Sequence, residues 1–176
     1  MEFLSSWHRW DVYIQEENWK TYAIKKSKSL EKKWAIKKEI VILNYLKNKV
    51  NFVPVIKEYW EDFFKYKFIE WTTLDKIKNP SKNIYKQLID HSYMLDKLHV
   101  EHGELSKPTK NIIVSNKEKV YIIDFERWNL LNNKWKNLKW ISNFLMNKKY
   151  ISLEQCKNLQ KIKDVDEIYN FLITIF

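Results

Sequence analysis

The sequence contains a single glycine, Gly103, in 176 residues, although average usage would supply about a dozen. Glycine lets a backbone come close to a phosphate group, so the dinucleotide-binding fingerprint and the P-loop each contain several glycines within a few residues. One glycine excludes both motifs. The segment around Gly103 is therefore informative.

The rest of the composition is that of a globular protein. Hydrophobic residues make up 45% of the chain, enough to bury a substantial core. The lone Cys156 excludes an internal disulfide and a cysteine-rich zinc site, which favours a reducing compartment. The sequence starts without the pattern of a signal peptide and has no run of about 18 apolar residues. We therefore expect a cytoplasmic protein with no membrane partner.

The formal net charge of +10 raises the possibility of a nucleic-acid partner, since basic surfaces attract phosphate backbones. The distribution of the charge argues against it. Almost all of the positive residues are lysines scattered along the chain, and arginine occurs only at Arg9 and Arg127. Arginine is the side chain best suited to forked contacts with phosphates and bases. A basic nucleic-acid-binding protein is kept as an alternative that the sequence does not favour.

Apolar periodicity predicts the main helices and strands. Two strands at 11–15 and 20–26 are joined by a turn at 16–18, and Ser29 is the expected N-cap of the first helix. Further strands are predicted at 53–58, 63–69, 111–114 and 120–125, a connector at 69–73, and helices at 29–47, at 84–99 and from residues 131, 153 and 165 onward. Because helices and strands are segregated rather than alternating, the sequence predicts the α+β class.

Three polar residues in the second half of the chain form a candidate site. Glu104 follows Gly103 in a loop, Asn111 closes that loop, and Asp124 ends a hydrophobic strand. A charged side chain at the end of a buried strand loses its water, and a cation is the usual compensation. If a hairpin brings Asn111 and Asp124 together, their oxygens suit Mg²⁺. The alternative is a turn with a capping Asp.

The order and spacing of these residues resemble those of protein kinases. The H-G-E-L of residues 102–105 is similar to the start of the catalytic loop, H-R-D-L-x-x-x-N, and the D-F-E of residues 124–126 is similar to the metal-binding D-F-G. The chain looks like the minimal atypical kinases, and like the archaeal predicted serine/threonine kinases with an H-G-E-L-S loop. The resemblance implies that Glu104 replaces the catalytic Asp and that Asn111 and Asp124 bind Mg²⁺.

Upstream segments follow in the order found in kinases. The Y-A-I-K that ends at Lys25 resembles the V-A-I-K strand, which implies that Lys25 holds the α- and β-phosphates of ATP. Glu39 begins an E-x-x-x-L pattern similar to the next kinase helix, which implies an ion pair with Lys25. The segment F-I-E-W resembles the hinge, which implies that Glu70 and Trp71 lie beside the adenine.

The largest departure from the kinase pattern is in the phosphate loop. Residues 4–13 match the register of the glycine-rich loop, but Ser5, Trp7 and Trp10 occupy the glycine positions. Tryptophan cannot let the backbone approach phosphates as glycine does. Either side chains of this segment bind ATP, or nucleotide binding is weaker than in the family.

The catalytic loop departs as well, because Glu104 and Asn111 are seven residues apart rather than five. A longer carboxylate can still accept a hydroxyl proton in a reshaped loop. Lys107 or Lys110 is a candidate to neutralise the γ-phosphate. Glu126 either adds a metal contact or caps the following helix.

The resemblance implies a minimal two-lobed protein-kinase-like fold of the α+β class. Residues 1–70 would form an N-lobe with a small antiparallel sheet and one helix, and residues 71–176 a reduced helical C-lobe with the catalytic loop and the metal-binding hairpin. ATP would be held in the cleft between the lobes. The implied activity is Mg²⁺-dependent transfer of the γ-phosphate of ATP to a hydroxyl group of a protein or a small molecule. A pseudokinase that binds a nucleotide or a partner without turnover is the main alternative.

Overall fold

The computed structural model describes residues 1–6, 8–106, 108–130 and 135–176, and these residues form two compact units. The first unit comprises Met1–Glu70 with Ile123–Arg127, and the second comprises Trp71–Ile122 with Trp128–Phe176. The predicted lobes were also divided after residue 70, but that prediction assigned residues 123–127 to the second lobe. In the structure they pack within the first unit.

The first unit contains β1 (Glu2–Ser6), β2 (Trp10–Glu17), β3 (Lys20–Ser27), α1 (Lys33–Leu46), β4 (Ile56–Tyr59) and β5 (Phe63–Lys67). Its strands form an antiparallel sheet in the order β1-β2-β3-β5-β4. In the register of this sheet, Val12 lies opposite Lys25, and Lys25 lies opposite Phe64. Paired residues point to the same face of a sheet, so Lys25 projects from the face that also carries the apolar side chains of Val12 and Phe64.

The turn between β2 and β3 is formed by Asn18 and Trp19, whose φ angles of 50° and 62° are both in the left-handed region. Such two-residue turns match the twist of a hairpin and usually contain glycine. The turn was predicted at 16–18, and it lies later because the strand pairing continues to Glu17.

Helix α1 begins at Lys33, later than the start predicted from Ser29 as the N-cap. Ser29 precedes a single 3₁₀ turn at Leu30–Lys32, and its side chain makes no capping hydrogen bond. The face of α1 that packs into the unit is apolar except for one acidic residue, Glu39. The buried residues of this face are Ala35, Ile36, Glu39, Ile40, Ile42, Leu43 and Leu46.

The second unit contains β6 (Trp71–Thr73), α2 (Lys82–Lys97), β7 (Val100–Glu101), β8 (Ile112–Ser115), β9 (Val120–Ile122), β10 (Asn129–Leu130), α3 (Lys136–Asn147), α4 (Leu153–Lys161) and α5 (Val165–Ile173). Strands β6, β8 and β9 form a sheet in that order, and β7 pairs with β10. The predicted connector at 69–73 is therefore partly a strand, since Trp71 pairs with Ser115 at the edge of this sheet.

Several other predicted boundaries shift by a few residues, and two of these shifts concern the end of a strand near the site and the start of a helix. The strand predicted at 120–125 ends at Ile122, because Asp124 adopts a φ of 67°, which an extended strand does not allow. The helix predicted from Leu131 is α3, which begins at Lys136, and residues 131–134 lie outside the described part of the chain.

The α+β class predicted from the sequence is confirmed. An antiparallel sheet with one helix occupies the first part of the chain, and helices dominate the last part. Among the described residues, none of the helices combines the length and the apolar character that crossing a bilayer requires.

Candidate active site

The first unit contains a buried ion pair between Lys25 on β3 and Glu39 on α1. The distance from Lys25 Nζ to Glu39 Oε2 is 2.6 Å, and both side chains are buried. Burial alone would lower the pKa of Lys25, but the charges of Glu39 and then of Asp124 outweigh it and hold that pKa above its usual value. Burial raises the pKa of Glu39, although Lys25 opposes the shift. The two carboxylates therefore favour the protonated form of the lysine.

Asp124 is a second carboxylate on the same ammonium group. Its Oδ1 lies 3.0 Å from Lys25 Nζ, and its side chain is 14% exposed. The next residue, Phe125, is fully buried and donates its backbone N–H to Glu39 Oε1 at 3.2 Å. Glu39 thus bridges the lysine and the backbone that carries Asp124. The left-handed φ of Asp124 turns the chain at this point, and Asp is one of the few residues that tolerate this conformation.

Trp10, the first residue of β2, covers Lys25 on another side. The centre of its ring is 3.7 Å from Lys25 Nζ, within the range of a cation–π interaction, and the residue is only 5% exposed. The kinase pattern has a glycine of the phosphate loop at the position of Trp10, and no contact of Trp10 was predicted from the sequence. Trp7 lies outside the described residues.

The loop before β2 also contacts the Asp124 segment through an ion pair between Arg9 and Glu126. Arg9 Nη1 lies 2.6 Å from Glu126 Oε1. Arg127 Nε is 3.8 Å from the same oxygen. The other oxygen, Oε2, is buried without a hydrogen-bond partner among the described residues. Burial raises the pKa of Glu126, although Arg9 opposes the shift.

In the second unit, Asn111 Nδ2 donates to Glu104 Oε2 at 3.2 Å. Glu104 donates its own N–H to His102 Nδ1 at 3.3 Å. The two residues predicted to form the catalytic loop are thus in direct contact, despite the longer spacing between them. The amide donor fixes one oxygen of the carboxylate.

A buried polar network that sequence reasoning missed holds the start of this loop. Asn137, in the first turn of α3, accepts from the His102 N–H at 3.1 Å and donates to the Val100 carbonyl at 2.7 Å. It also donates to Asp96 Oδ1 at 2.8 Å, and Asp96 accepts the Leu138 N–H at 2.9 Å. Burial raises the pKa of Asp96, to about 7, against the lowering effect of these donors. In the sequence, the only sign of this role is that Asn137 is a polar residue next to the apolar stripe of the predicted helix.

The two predicted hinge residues are not joined to either charged cluster by a described contact. Glu70 is exposed at the end of the first unit, and Trp71 begins β6 in the second unit. Of the two lysines suggested for the γ-phosphate, Lys110 is exposed at the end of a single 3₁₀ turn. Lys107 lies outside the described residues.

The sheet with one helix, the buried lysine–glutamate ion pair and the helical second unit define a protein of the protein-kinase-like superfamily. The sequence model of the RIO domain matches residues 2–134, well over half of the 176 residues. The chain belongs to the RIO domain family, which is an atypical protein-kinase-like family of ATP-binding phosphotransferases. No functionally curated protein matches the sequence significantly. The predicted membership of the kinase-like superfamily is confirmed.

Proposed function

We propose that this protein is a Mg²⁺-dependent phosphotransferase of the atypical serine/threonine protein kinase type, which transfers the γ-phosphate of ATP to a hydroxyl acceptor. The observation that carries the proposal is the cluster of Lys25, Glu39 and Asp124 in a chain of the RIO domain family. A buried ammonium fixed between two carboxylates is oriented before any ligand arrives, and such preorganised charges are the main source of catalysis in phosphoryl transfer.

The donor set of the first unit fits a nucleotide with a hard cation. Lys25 offers N–H donors to phosphate oxygens, and Asp124 offers a partly exposed carboxylate. Mg²⁺ that arrives with a nucleotide needs only one or two protein carboxylates, because phosphate oxygens and waters complete its shell. Among the described residues there is no cluster of three or more His, Cys, Asp and Glu that would hold a metal alone.

Each residue has a separate role in the proposed reaction. Bound Mg-ATP supplies the phosphoryl group and neutralises part of its charge. Lys25 binds the α- and β-phosphates while Glu39 orients it, and Asp124 with Asn111 provides the oxygen ligands for the metal. Glu104 would accept the proton of the acceptor hydroxyl as that oxygen forms a bond to the γ-phosphorus. The bond from this phosphorus to the oxygen that bridges to the β-phosphate breaks, and ADP leaves. Asn111 orients Glu104 through its amide donor. Glu70 and Trp71 would lie beside the adenine.

The test of the metal role is Asp124→Asn, measured as Mg²⁺-dependent ATP hydrolysis or autophosphorylation. Asn keeps the volume and tolerates the left-handed φ of this position, whereas Ala would add backbone strain. We expect turnover to fall by about 100-fold or more, and Asp75→Asn, at an exposed position, to behave as wild type. Unchanged turnover in Asp124→Asn, or no ATP binding by the wild type, would refute the proposal.

The role of Glu104 is tested independently with Glu104→Gln. Loss of a general base costs about 100- to 10,000-fold in rate, while ATP binding in the first unit should be retained. Turnover equal to that of the wild type would remove Glu104 from the mechanism and leave the remaining assignments in place.

The pseudokinase is the second candidate, and the observation that favours it is the position of Trp10 over Lys25. In that case the wild type binds ATP without turnover. The same assay separates the two candidates, because calorimetry measures binding and phosphate release measures turnover.

A further inference from the structure

The neighbours of the Lys25 ammonium group match its hydrogen-bonding capacity. A protonated lysine has three N–H donors. Glu39 Oε2 lies 2.6 Å from Nζ, Asp124 Oδ1 lies 3.0 Å from it, and the centre of the Trp10 ring lies 3.7 Å from it. Two carboxylates and one aromatic face therefore surround the group that is proposed to bind phosphates. A phosphate oxygen can reach the ammonium only if one of these neighbours moves.

Trp10 is held over Lys25 by the register of the sheet. Val12 is paired with Lys25, and Trp10, two residues earlier on β2, points to the same face of the sheet. At this position the kinase pattern has a glycine, which leaves the space beside the lysine free for phosphates. The indole occupies that space, and its low exposure of 5% shows that it packs there rather than pointing into solvent.

The strengths of the three contacts indicate which neighbour of Lys25 a phosphate displaces. Glu39 is buried, pairs with the lysine through a short charged hydrogen bond and accepts a second one from Phe125. Asp124 accepts a hydrogen bond from the ammonium group at 3.0 Å and is also the proposed metal ligand. A cation–π contact is weaker than a charge-assisted hydrogen bond to a buried carboxylate. The Trp10 ring is thus the neighbour that a phosphate displaces most easily.

We propose that Trp10 competes with the phosphates of the nucleotide for Lys25, so that this side chain lowers and thereby sets the affinity for nucleoside polyphosphates. This inference rests on the proposed function of the same site. The indole must leave the ammonium when a phosphate binds. It follows that affinity for the phosphate part of the ligand depends on residue 10, whereas affinity for the nucleoside part does not.

The experiment compares Trp10→Leu, which removes the aromatic face, with Trp10→Phe, which keeps a weaker one. Binding of Mg-ATP, inorganic triphosphate with Mg²⁺, and adenosine is measured by calorimetry. We expect Trp10→Leu to bind Mg-ATP and triphosphate roughly 2- to 30-fold more tightly than the wild type, the factor that a cation–π contact represents. Trp10→Phe should lie between them, and adenosine affinity should not change. Trp19→Leu, at a fully exposed position, is the matched control and should equal the wild type.

Fluorescence provides a readout that does not depend on changed affinity. The difference between the emission of the wild type and that of Trp10→Phe isolates Trp10, and this difference should change when Mg-ATP is added. Thermal melts test whether Trp10→Leu and Trp10→Phe are folded. If Trp10→Leu does not fold, the binding affinity of Trp10→Phe and the fluorescence change test the inference. Equal or weaker Mg-ATP binding by the folded variants, or an unchanged Trp10 signal with ATP bound, would overturn the inference.

The outcomes separate this inference from the proposed function. If the Trp10 variants bind phosphates more tightly but no variant turns ATP over, the inference stands and the kinase proposal fails. If the wild type turns ATP over and the Trp10 variants bind as it does, only the inference fails. If neither the wild type nor any folded variant binds ATP or triphosphate, both fail.

Discussion

Lys25 has two buried or nearly buried carboxylates beside it, Glu39 and Asp124. Removing a charge from water is costly, and the mutual attraction of buried charges offsets this cost only while all partners are present. The cluster is therefore better explained by a need to orient the ammonium than by a need for stability. Its energetic effect becomes visible when one partner is removed.

The prediction at the residue scale is that Lys25→Met destabilises the protein by about 3–5 kcal/mol, because it leaves buried negative charge without a cation. Adding Glu39→Gln to Lys25→Met should recover part of that loss, since a neutral amide replaces the uncompensated carboxylate. Urea unfolding of the wild type, both single variants and the double variant measures the effect. A double variant less stable than Lys25→Met would contradict this explanation.

At the scale of the element, the first turn of α3 organises the loop that carries Glu104. The Asn137 side chain accepts from His102, which begins the loop, and donates to Val100, which lies in β7. Buried polar groups that lose their partner keep the full cost of desolvation. One side chain on the helix thus satisfies several backbone and carboxylate groups of the segment before Glu104.

We predict that Asn137→Ala lowers the free energy of unfolding by about 2–3 kcal/mol, because it leaves the His102 N–H and the Val100 carbonyl without this partner. If turnover is established, kcat should fall as well, since the loop loses its fixed position. Asn147→Ala, at the exposed end of the same helix, is the control and should change stability by less than about 0.5 kcal/mol. Equal stability of the two variants would show that the network does not support the loop.

Helix starts illustrate what local sequence can and cannot decide. Ser152 forms a capping box with Gln155, and a cap of this kind depends only on residues within one turn. Ser29 is also a serine, but its side chain caps no helix, because a 3₁₀ turn lies between it and the start of α1. Whether a serine caps a helix depends on backbone angles that the packing of the helix determines.

At the scale of the whole molecule, global stability should depend on pH through His91 on α2. Burial, assisted by the charge of Lys119, lowers the pKa of His91 to about 3. In the unfolded chain this imidazole takes up a proton near its ordinary pKa of about 6.5. The contribution to stability is therefore fully present above that pH and is lost as the pH falls below it, because the unfolded state binds the proton first.

The expected result is a loss of about 1 kcal/mol from His91 between pH 7.5 and pH 5.5. The measurement is the unfolding free energy of the wild type minus that of His91→Gln across this range. Lys119→Gln removes only the smaller of the two causes of the lowered pKa, so the dependence in this pH range should persist in that variant. A difference that stays constant down to pH 5 would show that His91 is protonated as easily in the folded state as in the unfolded chain.

Patterns and motifs in the sequence were enough to predict the class of the fold and the protein-kinase-like superfamily. Segregated strands and helices gave the α+β class, and short motifs in a fixed order led to the kinase-like superfamily, to which the RIO domain match belongs. The resemblance to the kinase pattern also nominated Lys25 and Glu39 as an ion pair. Such features depend on local periodicity and on spacing, which a single sequence contains.

The surroundings of the nominated residues, by contrast, follow from how the whole chain folds. Asp124 meets Lys25 although 99 positions separate them, and Trp10 fills the space that a glycine would leave. Asn137 reaches the start of the Glu104 loop although 35 positions separate it from His102. Contacts between distant positions arise from strand register and helix packing, so no local pattern could have specified them.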